Sequence, residues 1–445
     1  MKHHPQLQLR TKKEEPTGSS FWYIFLKYIK DILKMKNLFL LLGAPAIGKS
    51  TFIKKNALEE YTIEIDKLRD LFGSTKRVLS DDNSQTISVQ THDADQQVWD
   101  LAFDITEDRM SKGKTTIIDA TFLFPSAFNK PFTLAKKYNY KVVIIDFMAD
   151  AVKKFNASYN HHEALLEHLI QNDRKRNQNI PEYVFERYIT RYFDTLSVNN
   201  GNKITPSVFE KQYLSPLEPI DLNAFNRIKV IGDVHGDHSA LMKVFDDHKR
   251  GDAYVFVGDY LDRGTKNVET FKFLSKLKGK NLFFLKGNHE NHILHFVENG
   301  KVTGRDFKTI TLPELLRNGV SKTDLKNFSR QLRDYLYFTF DNQTFMVSHA
   351  GIEPSRLHEF EVSNDAATNI NFAEETEFID GLSKLGSTPY ENDVDTSFTD
   401  AGMATIQIHG HRNVFGHPAQ VSNNSYNLTG PIGNDTFRYL VIEKD

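Results

Sequence analysis

A glycine-rich stretch near residue 43 has the residue types and spacing needed to bind a triphosphate. The apolar run 38–42 predicts a buried strand, and a helix is predicted from Ser50 onward. A strand, a Gly-rich turn and a Lys-Ser pair at a helix start bind phosphate through backbone N–H groups and the positive helix end. Lys49 would reach the β- and γ-phosphates of ATP, and the Ser50 hydroxyl would hold Mg²⁺. The predicted ATP-binding residues are Gly43, Ala44, Pro45, Ala46, Ile47, Gly48, Lys49, Ser50 and Thr51.

Acidic residues follow two of the next predicted strands, and one of them is paired with an arginine. Asp66 ends the second strand, where a carboxylate could orient an acceptor hydroxyl and take its proton. Arg69 lies one helical turn further on and could contact a phosphate of the acceptor. A helix N-cap is the structural alternative for Asp66. Asp119 ends the third strand, and a structural or metal-water role is as well supported there as a catalytic one.

Two arginines precede a predicted helix that begins near Pro181. Arg174 and Arg176 lie in the basic run DRKRN, directly before IPEYVFERYITRYF. Such a pair could close over a triphosphate and offset the charge that develops during phosphoryl transfer. The alternative is a solvated basic face.

The second half of the chain contains five short apolar runs that end in residues of metal-binding type. Strand ends gathered on one rim would supply two carboxylates, three histidines and one amide, which suit a pair of divalent ions bridged by Asp259. The fifth run, IQIHGHRNV, contains two histidines, and either of them could be the third histidine ligand. The candidate ligands are Asp233, His235, Asp259, Asn288, His349 and either His409 or His411.

Three residues beside these candidate ligands suit catalysis at phosphorus. Arg263 could hold a phosphate in a bidentate fork. His289 is better placed as the acid for a leaving oxygen than as a ligand, and Asp262 could fix the orientation of its ring.

Length and composition limit the classes of protein that fit. The 445 residues predict two or three domains, and a net charge of −2 excludes a global basic field. Because the chain has no cysteine, disulfides, thiolate metal sites and Cys nucleophiles are excluded, and a cytoplasmic location is expected.

Apolar runs at 38–42, 61–65, 115–118 and 141–147 alternate with helical patterns and predict an α/β fold with a parallel sheet. An Asn- and Pro-rich stretch separates this half from the next. A helix is also predicted within 320–338 from Leu325, Phe328, Leu332 and Tyr335. The predicted organisation is an N-terminal extension at 1–35, a P-loop domain at 36–200, a linker at 201–226 and a second α/β domain at 227–445.

The motifs of the first half resemble those of the polynucleotide 5′-hydroxyl kinases. GAPAIGKST, the D-x-x-R of Asp66 and Arg69, IIDAT and the Arg-rich segment carry the resemblance over about residues 36–196. It implies that Asp66 is the general base and that Arg69 engages the acceptor strand. Phe122 stands where the family often has Asn, so no acceptor contact is assigned to that position.

The motifs of the second half resemble the calcineurin-like metallophosphoesterases, over about residues 227–445. GDVHG, GDYLDRG, GNHE and SHAG are similar to the branch that contains Ser/Thr protein phosphatases and diadenosine tetraphosphatases. The resemblance implies a two-sheet sandwich with flanking helices. It also favours His411 over His409, because the G-H step carries the ligand in this branch, although Arg412 stands where Thr is common.

A kinase followed by a metallophosphoesterase resembles the bacterial and phage end-healing enzymes. The resemblance implies ATP-dependent phosphorylation of 5′-hydroxyl ends and removal of a 3′-phosphate or 2′,3′-cyclic phosphate from RNA or DNA. Mg²⁺ is expected in the kinase site and two divalent ions, Mn²⁺ foremost, in the phosphatase site. Because the chain ends at Asp445, directly after the second domain, a separate ligase is expected as partner, and no membrane is expected.

Two other hypotheses remain open. A Ser/Thr phosphatase or dinucleoside tetraphosphatase could be joined to a small-molecule kinase. Alternatively, the P-loop domain could sense nucleotide and regulate the phosphatase, although the D-x-x-R motif argues against that.

Overall fold

The computed structural model describes residues 36–73, 75–79, 86–90, 94–176, 180–195, 202–357, 369–383, 393–412, 419–430 and 438–444. The predicted N-terminal extension at 1–35 lies outside the described residues. Two compact units account for the described chain. The N-terminal unit takes in residues 36–216 and 369–374, and the C-terminal unit takes in 217–357 and 375–444.

The N-terminal unit alternates strands and helices as the sequence predicts. Its strands are β1 (Asn37–Leu42), β2 (Thr62–Glu64), β3 (Thr75–Leu79), β4 (Thr86–Gln90), β5 (Thr116–Asp119), β6 (Lys141–Asp146) and β7 (Asn202–Ile204). Its helices are α1 (Lys49–Lys55), α2 (Ile65–Leu71), α3 (Asp95–Ser111), α4 (Asn129–Tyr138), α5 (Phe147–Lys154), α6 (Glu163–Lys175), α7 (Glu182–Thr195) and α8 (Pro206–Phe209).

Five strands of this unit form a parallel sheet in the order β2-β5-β1-β6-β7. β1 is buried along almost its whole length, as its Leu-rich sequence requires for a central parallel strand. β2 and β5 lie on one side of β1, so their carboxyl ends meet the loop that follows it. Ligands of open parallel sheets bind at these strand ends.

A segment from the second half of the sequence completes the core of the N-terminal unit. Residues 369–374 belong to this unit, although the described residues 217–357 and those from 375 onward belong to the other. The Phe372 side chain is 2% exposed, and its ring centroid lies 4.9 Å from that of Tyr61 and 6.3 Å from that of Phe209. Glu374 also pairs with Lys114 at 2.7 Å. The first 200 residues therefore do not contain the whole core of this unit.

We expect Phe372→Ala to destabilise the N-terminal unit by about 3–5 kcal/mol, because it leaves a cavity among buried aromatic rings. Trp99 lies in this unit and Trp22 is the only other tryptophan, so Trp99 fluorescence in a Trp22→Phe background reports its unfolding in denaturant. Phe372→Leu, which keeps most of the volume, is the control and should cost much less. Equal midpoints for Phe372→Ala and the parent would contradict this packing.

The C-terminal unit has eleven strands and seven helices among the described residues. Its strands are β8 (Ile220–Asp221), β9 (Arg227–Ile231), β10 (Asp252–Phe256), β11 (Leu282–Leu285), β12 (Leu332–Arg333), β13 (Tyr335–Phe340), β14 (Gln343–Ser348), β15 (Ile406–His409), β16 (Gln420–Ser422), β17 (Ser425–Asn427) and β18 (Tyr439–Glu443). Its helices are α9 (His238–Asp246), α10 (Asn267–Lys276), α11 (Glu290–Asn299), α12 (Leu312–Arg317), α13 (Lys322–Ser329), α14 (Glu375–Ile379) and α15 (Asp393–Asp400).

Two sheets pack face to face in this unit. One has the order β12-β11-β10-β9-β18, and the other has the order β16-β17-β15-β14-β13-β8. Their shared core contains Val230 and Val255 from the first sheet and Val347 and Ile408 from the second, all fully buried. This is the sandwich that the resemblance implies, and together with the other unit it confirms the α/β fold class.

The structure corrects the helix predicted within 320–338. Leu325 and Phe328 are buried on α13, but that helix ends at Ser329. Leu332 and Tyr335 lie in β12 and β13 instead. The residues of β13, YLYFTF, alternate between half-buried and buried, which is the period of a strand with one face on a core.

The stretch predicted to be a linker, 201–226, contributes β7 and α8 to the N-terminal unit and β8 to the C-terminal one. No helix among the described residues is both long and apolar enough to cross a membrane.

Candidate active sites

The predicted phosphate loop connects β1 to α1 in the N-terminal unit. Gly48 has a φ of 109°, a conformation open to glycine and strained for other residues. The Gly43 amide donates to the Thr121 carbonyl at 3.0 Å, which anchors the loop to the segment after β5. The Lys49 Nζ donates to the carbonyl oxygens of Gly43 and Ala44 at 2.9 and 3.3 Å, so its ammonium lies across the loop.

Two carboxylates act on this ammonium. Burial lowers the pKa of Lys49, against the nearby negative charges of Asp119 and Asp66. Asp119 lies 3.9 Å from the Lys49 Nζ, and burial raises the pKa of this carboxyl to about 6. The structure therefore brings Lys49, Asp66 and Asp119 to the strand ends at one side of the sheet, as the sequence analysis predicts.

Asp66 and Arg69 form a pair on α2. The Arg69 guanidinium donates to Asp66 at 2.5 Å and to Asp95 at 2.8 Å. The side chain of Asp66 is 73% exposed, so it is accessible to a substrate, whereas that of Arg69 is 13% exposed. Glu64 occupies the N-cap position of α2, so Asp66 lies within the first turn of this helix and is not its N-cap. Asp95, at the start of α3, has no motif that marks it in the sequence and holds Arg69 from the opposite side.

The two predicted lid arginines occupy the end of α6 and the position after it. Both are exposed, and the charge of Arg176 contributes to the pKa of Lys49 and of Asp119. The neighbouring Asp173 is buried and accepts the Ile180 amide at 2.7 Å, which ties this segment to the start of α7. Arg176 is thus the lid arginine with an electrostatic link to the phosphate loop.

Phe122 is a core residue. It is 1% exposed, and its ring packs against Trp99 and Phe128 at 6.2 and 5.4 Å.

In the C-terminal unit, the predicted metal ligands follow β9, β10, β11, β14 and β15 and lie close together. The region formed by these strand ends is called the rim below. Asp259 lies at the centre. Its Oδ2 is 3.4 Å from His235 Nε2, and its Oδ1 is 3.4 Å from His349 Nε2. Each carboxylate oxygen therefore faces a different histidine, which is the arrangement that a bridging ligand requires.

Asp233, Asn288 and His411 complete the same cluster. The Asn288 amide lies 3.2 Å from His349 Nε2 and 3.2 Å from His411 Nδ1. The His411 backbone amide donates to Asp233 Oδ2 at 3.0 Å. A Cβ on Gly410 would lie 2.1 Å from Asp233 Oδ1, so the Gly-His step is needed for this close approach.

The donor set and its orientation fit divalent ions. In His235 and His349 the Nδ1 atom donates to a backbone carbonyl, that of Leu261 at 3.2 Å and of Val257 at 3.0 Å. That bond leaves Nε2 of each ring as the ligand atom. Donor atoms of Asp259, His349 and His411 lie within 4.8 Å of one another. Donor atoms of His235 and Asp259 lie equally close to His289, which is predicted to act as an acid and not as a ligand.

The electrostatics of the cluster also favour a cation. Burial lowers the pKa of His411 to about 3, so this ring is neutral and able to ligate a metal. Burial opposes charge on His349 as well, yet Asp259 and Asp233 raise its pKa to about 9. The carboxylates thus stabilise positive charge at the rim.

His409 has a different environment from His411. It is fully buried, and its Nε2 lies 2.9 Å from Asp395 Oδ1. Arg412 is also fully buried and donates to the carbonyls of Ala350 and Leu382 at 2.7 and 2.8 Å. Both residues stabilise the core behind the rim, which leaves His411 as the ligand candidate of this motif.

We expect His411→Ala to weaken the binding of divalent ions, whereas His409→Ala should leave it unchanged. His409→Ala should instead lower the free energy of unfolding by about 1–3 kcal/mol, because it leaves the Asp395 carboxylate buried without one partner. Metal content by mass spectrometry and denaturant unfolding measure the two effects. Metal loss confined to His409→Ala would reverse the assignment.

The residues predicted to act on the substrate lie beside the cluster. His289 Nδ1 is 2.7 Å from Asp262 Oδ2, so Asp262 holds the ring as predicted. Burial opposes a charge on His289, but Asp259 and Asp262 raise its pKa above the ordinary value. The Arg263 side chain is exposed, and its guanidinium lies 3.3 Å from His235 Nε2, where it can reach a bound phosphate.

Glu290 is a residue that the sequence analysis missed. It is fully buried, and its carboxylate accepts the backbone amides of Asp259, Tyr260 and Gly287 at 2.8, 3.0 and 2.9 Å. It therefore joins the turn after β10 to the turn after β11 and sets the spacing of Asp259 and Asn288. Its position directly after His289 in GNHE was the available signal.

The backbone of the rim is strained. Of the twelve described non-glycine residues with positive φ, five are predicted site residues of the C-terminal unit, namely His235, Asp259, Asp262, Arg263 and His411. Such conformations cost about 1–3 kcal/mol each and persist where the surrounding contacts fix them.

Comparisons with known proteins match each unit to a family. A model of the calcineurin-like phosphoesterases matches residues 226–419, and a model of an AAA domain matches residues 38–157.

Two curated relatives match part of the chain. The bis(5′-nucleosyl)-tetraphosphatase PrpE [asymmetrical] of Halalkalibacterium halodurans is 30% identical over 28% of the chain and 56% of its own length. The serine/threonine-protein phosphatase PP2A-like PPG1 of Candida albicans is 33% identical over 29% of the chain and 30% of its own length. The chain thus spans less than two thirds of either relative.

A solved protein serine/threonine phosphatase from Saccharomyces cerevisiae, similar to human phosphatase PP5, aligns with a TM-score of 0.32 and 19% identity. The alignment covers 50% of this chain and 73% of that one. The two family matches support a fusion of a P-loop, kinase-like domain with a calcineurin-like metallophosphoesterase domain.

Proposed function

We propose that the protein is a bifunctional enzyme that heals the ends of broken nucleic acid. The N-terminal unit transfers the γ-phosphate of ATP to a 5′-hydroxyl end. The C-terminal unit removes a 3′-phosphate or opens and removes a 2′,3′-cyclic phosphate. The observation that carries the proposal is the position of the exposed Asp66 carboxylate. Arg69 holds this carboxylate, and its negative charge acts on the Lys49 ammonium.

The kinase step follows from these positions. Asp66 accepts the proton of the incoming hydroxyl as its oxygen attacks the γ-phosphate in line with the leaving oxygen. Lys49 and Arg176 offset the charge that develops on the phosphoryl oxygens. Arg69, one helical turn beyond Asp66, would bind a phosphate of the acceptor strand, which a small-molecule acceptor without a phosphate could not supply.

The phosphatase step uses the rim of the C-terminal unit. Two divalent ions held by Asp233, His235, Asp259, Asn288, His349 and His411 would activate a water and clamp the oxygens at phosphorus. Arg263 binds the phosphate, and His289 gives its proton to the leaving 3′-oxygen. Asp262 keeps the His289 ring in the orientation that this transfer needs.

The pairing of the two activities supports a substrate with two damaged ends. A strand cut by many nucleases carries a 5′-hydroxyl and a 2′,3′-cyclic phosphate or 3′-phosphate, whereas a ligase needs the opposite pattern. ATP with Mg²⁺ in the first site and Mn²⁺ in the second are the proposed cofactors. RNA or DNA ends and a separate ligase are the proposed partners.

The relatives favour a second candidate function. Both curated matches carry phosphatase names, one of them a bis(5′-nucleosyl)-tetraphosphatase. On this hypothesis the C-terminal unit cleaves a dinucleoside tetraphosphate or a phosphoprotein, and the P-loop unit phosphorylates a small molecule or senses nucleotide.

One experiment separates the two functions. The protein is incubated with ATP, Mg²⁺ and Mn²⁺ and with matched RNA and DNA oligonucleotides that carry a 5′-hydroxyl and either a 3′-phosphate or a 2′,3′-cyclic phosphate. Both ends are then assayed, and diadenosine tetraphosphate and a phosphoserine peptide are tested in parallel. Modification of both oligonucleotide ends supports end healing. Efficient cleavage of the tetraphosphate with no change at either end would support the second candidate.

A further inference from the structure

A buried threonine from outside every recognised motif contacts the catalytic rim of the C-terminal unit. Thr311 lies at the end of the π-helical turn Phe307–Thr311, directly before α12, and is fully buried. Its Oγ1 donates to Asp262 Oδ1 at 2.5 Å. The other oxygen of the same carboxylate, Oδ2, holds His289 Nδ1 at 2.7 Å.

We propose that Thr311 is a positioning residue that fixes the Asp262 carboxylate and, through it, the ring of His289. The proposal rests on the proposed role of His289 as the proton donor to the leaving oxygen. This role of Thr311 also indicates the class of substrate, because a precisely oriented proton donor matters most for phosphoesters whose leaving group is an alcohol.

The geometry explains why a second contact on Asp262 is needed. The Asp262 backbone is already held, because its amide donates to Asn267 Oδ1 at 2.9 Å. The side chain can still rotate about its Cβ–Cγ bond unless both oxygens have partners. Thr311 occupies Oδ1, so Oδ2 stays directed at His289, and the opposite ring nitrogen of His289 stays free for the substrate.

The chemistry shows which substrates depend on this alignment. As the bond from water oxygen to phosphorus forms, the ester P–O bond breaks and its electron pair moves to the leaving oxygen. An alkoxide is a poor leaving group, so this oxygen must take the proton of His289 as it departs. The proton lost by the attacking water passes to solvent or back to His289. A p-nitrophenolate leaves readily without a proton and makes little use of His289.

The test compares Thr311→Val with wild type on substrates that differ in their leaving group. Valine has nearly the same shape as threonine and carries a methyl group in place of the hydroxyl. We expect kcat for glycerol phosphate and for a 3′-phosphorylated oligonucleotide to fall about 10-fold or more, in the range found for partners that orient catalytic-site ligands. Activity on p-nitrophenyl phosphate should change little. Thr311→Ser, which restores a hydroxyl, should recover most of the loss.

The matched control is Thr309→Val, on the same turn. Thr309 is exposed, and its hydroxyl donates to the Arg305 carbonyl at 2.9 Å, so its loss should leave both kinds of substrate unaffected. A readout besides activity is the crystal structure of Thr311→Val, in which the contact between Asp262 and His289 should be broken. Mn²⁺ binding by calorimetry should match wild type.

Three results would overturn the proposal: equal losses on both classes of leaving group, no loss on either, or a Thr311→Ser variant as slow as Thr311→Val. Failure of the proposed function is a separate outcome. If wild type hydrolyses glycerol phosphate but not oligonucleotide 3′-phosphates, end healing is wrong, and the effect of Thr311 is still measured on glycerol phosphate.

Discussion

Asp66→Asn should slow phosphate transfer to a 5′-hydroxyl oligonucleotide by about 10²- to 10⁴-fold, the range that a general base contributes. Asparagine keeps the size of the side chain but cannot accept the hydroxyl proton. Because Asp66 is largely exposed, the change should not destabilise the fold. Transfer of labelled γ-phosphate from ATP measures the kinase, and phosphate release from a 3′-phosphorylated oligonucleotide in the same preparation measures the phosphatase.

Asp70→Asn is the matched control, since Asp70 is an exposed carboxylate on the same helix, one residue beyond Arg69. It should retain kinase activity close to that of wild type. Asp66→Asn should also leave the release of phosphate from the 3′ end unchanged. If both activities fell together in a folded protein, the model of two independent sites would be wrong. If only Asp70→Asn were inactive, Asp66 would not be the base.

Most of the elements that carry the sites could be predicted from the sequence. The apolar runs at 38–42, 115–118 and 141–147 coincide closely with β1, β5 and β6, because central parallel strands are continuously apolar. Polar residues at the ends of such runs had to meet at one edge. That rule brings Asp66 and Asp119 to Lys49, and His235 to Asp259. His349 follows β14 of the second sheet and reaches Asp259 only because the two sheets pack together.

Contacts made by residues outside motifs could not be predicted in this way. Thr311 reaches Asp262 from a turn between α11 and α12 that carries no motif, and Asp95 reaches Arg69 from the start of a separate helix. Phe372 belongs to the N-terminal core, although it is more than a hundred residues beyond the end of the P-loop domain predicted from sequence. These contacts depend on tertiary packing, for which the local pattern carries no signal.

Two errors of interpretation have a visible cause. Leu325 to Tyr335 has helical spacing, but the alternation in YLYFTF marks a strand, and the shorter period is the one that the structure follows after Ser329. In the sequence, GNHE indicates metal and substrate contacts at its Asn and His, and Glu290 has no predicted role. In the structure its carboxylate accepts three backbone amides instead.

Removal of the central carboxylate of the C-terminal site should abolish phosphatase activity and leave the kinase intact. Asp259→Asn leaves one side-chain oxygen and no negative charge. The side chain can then neither bridge two ions nor offset their charge. Loss of an orienting partner around a metal site typically costs about 10- to 100-fold in affinity or activity, and loss of the bridging ligand itself should exceed this. Phosphate release from a 3′-phosphorylated oligonucleotide and labelling of a 5′-hydroxyl end measure the two activities.

Asp259→Asn should also make the thermal stability of the protein largely independent of added metal ions. A divalent ion that binds only the folded protein stabilises it by about 2.7 kcal/mol at 100 times its Kd, so the Tm of wild type should rise with added Mn²⁺ and fall with a chelator. Asp259→Asn should lose most of this response, whereas Asp246→Asn, an exposed carboxylate on α9, should keep it. Loss of activity with an unchanged response to Mn²⁺ would mean that Asp259 does not bind the ions. The fold-change in activity would then have to come from its hydrogen bond to the His289 amide, 3.0 Å away, and thus from the placement of the proton donor.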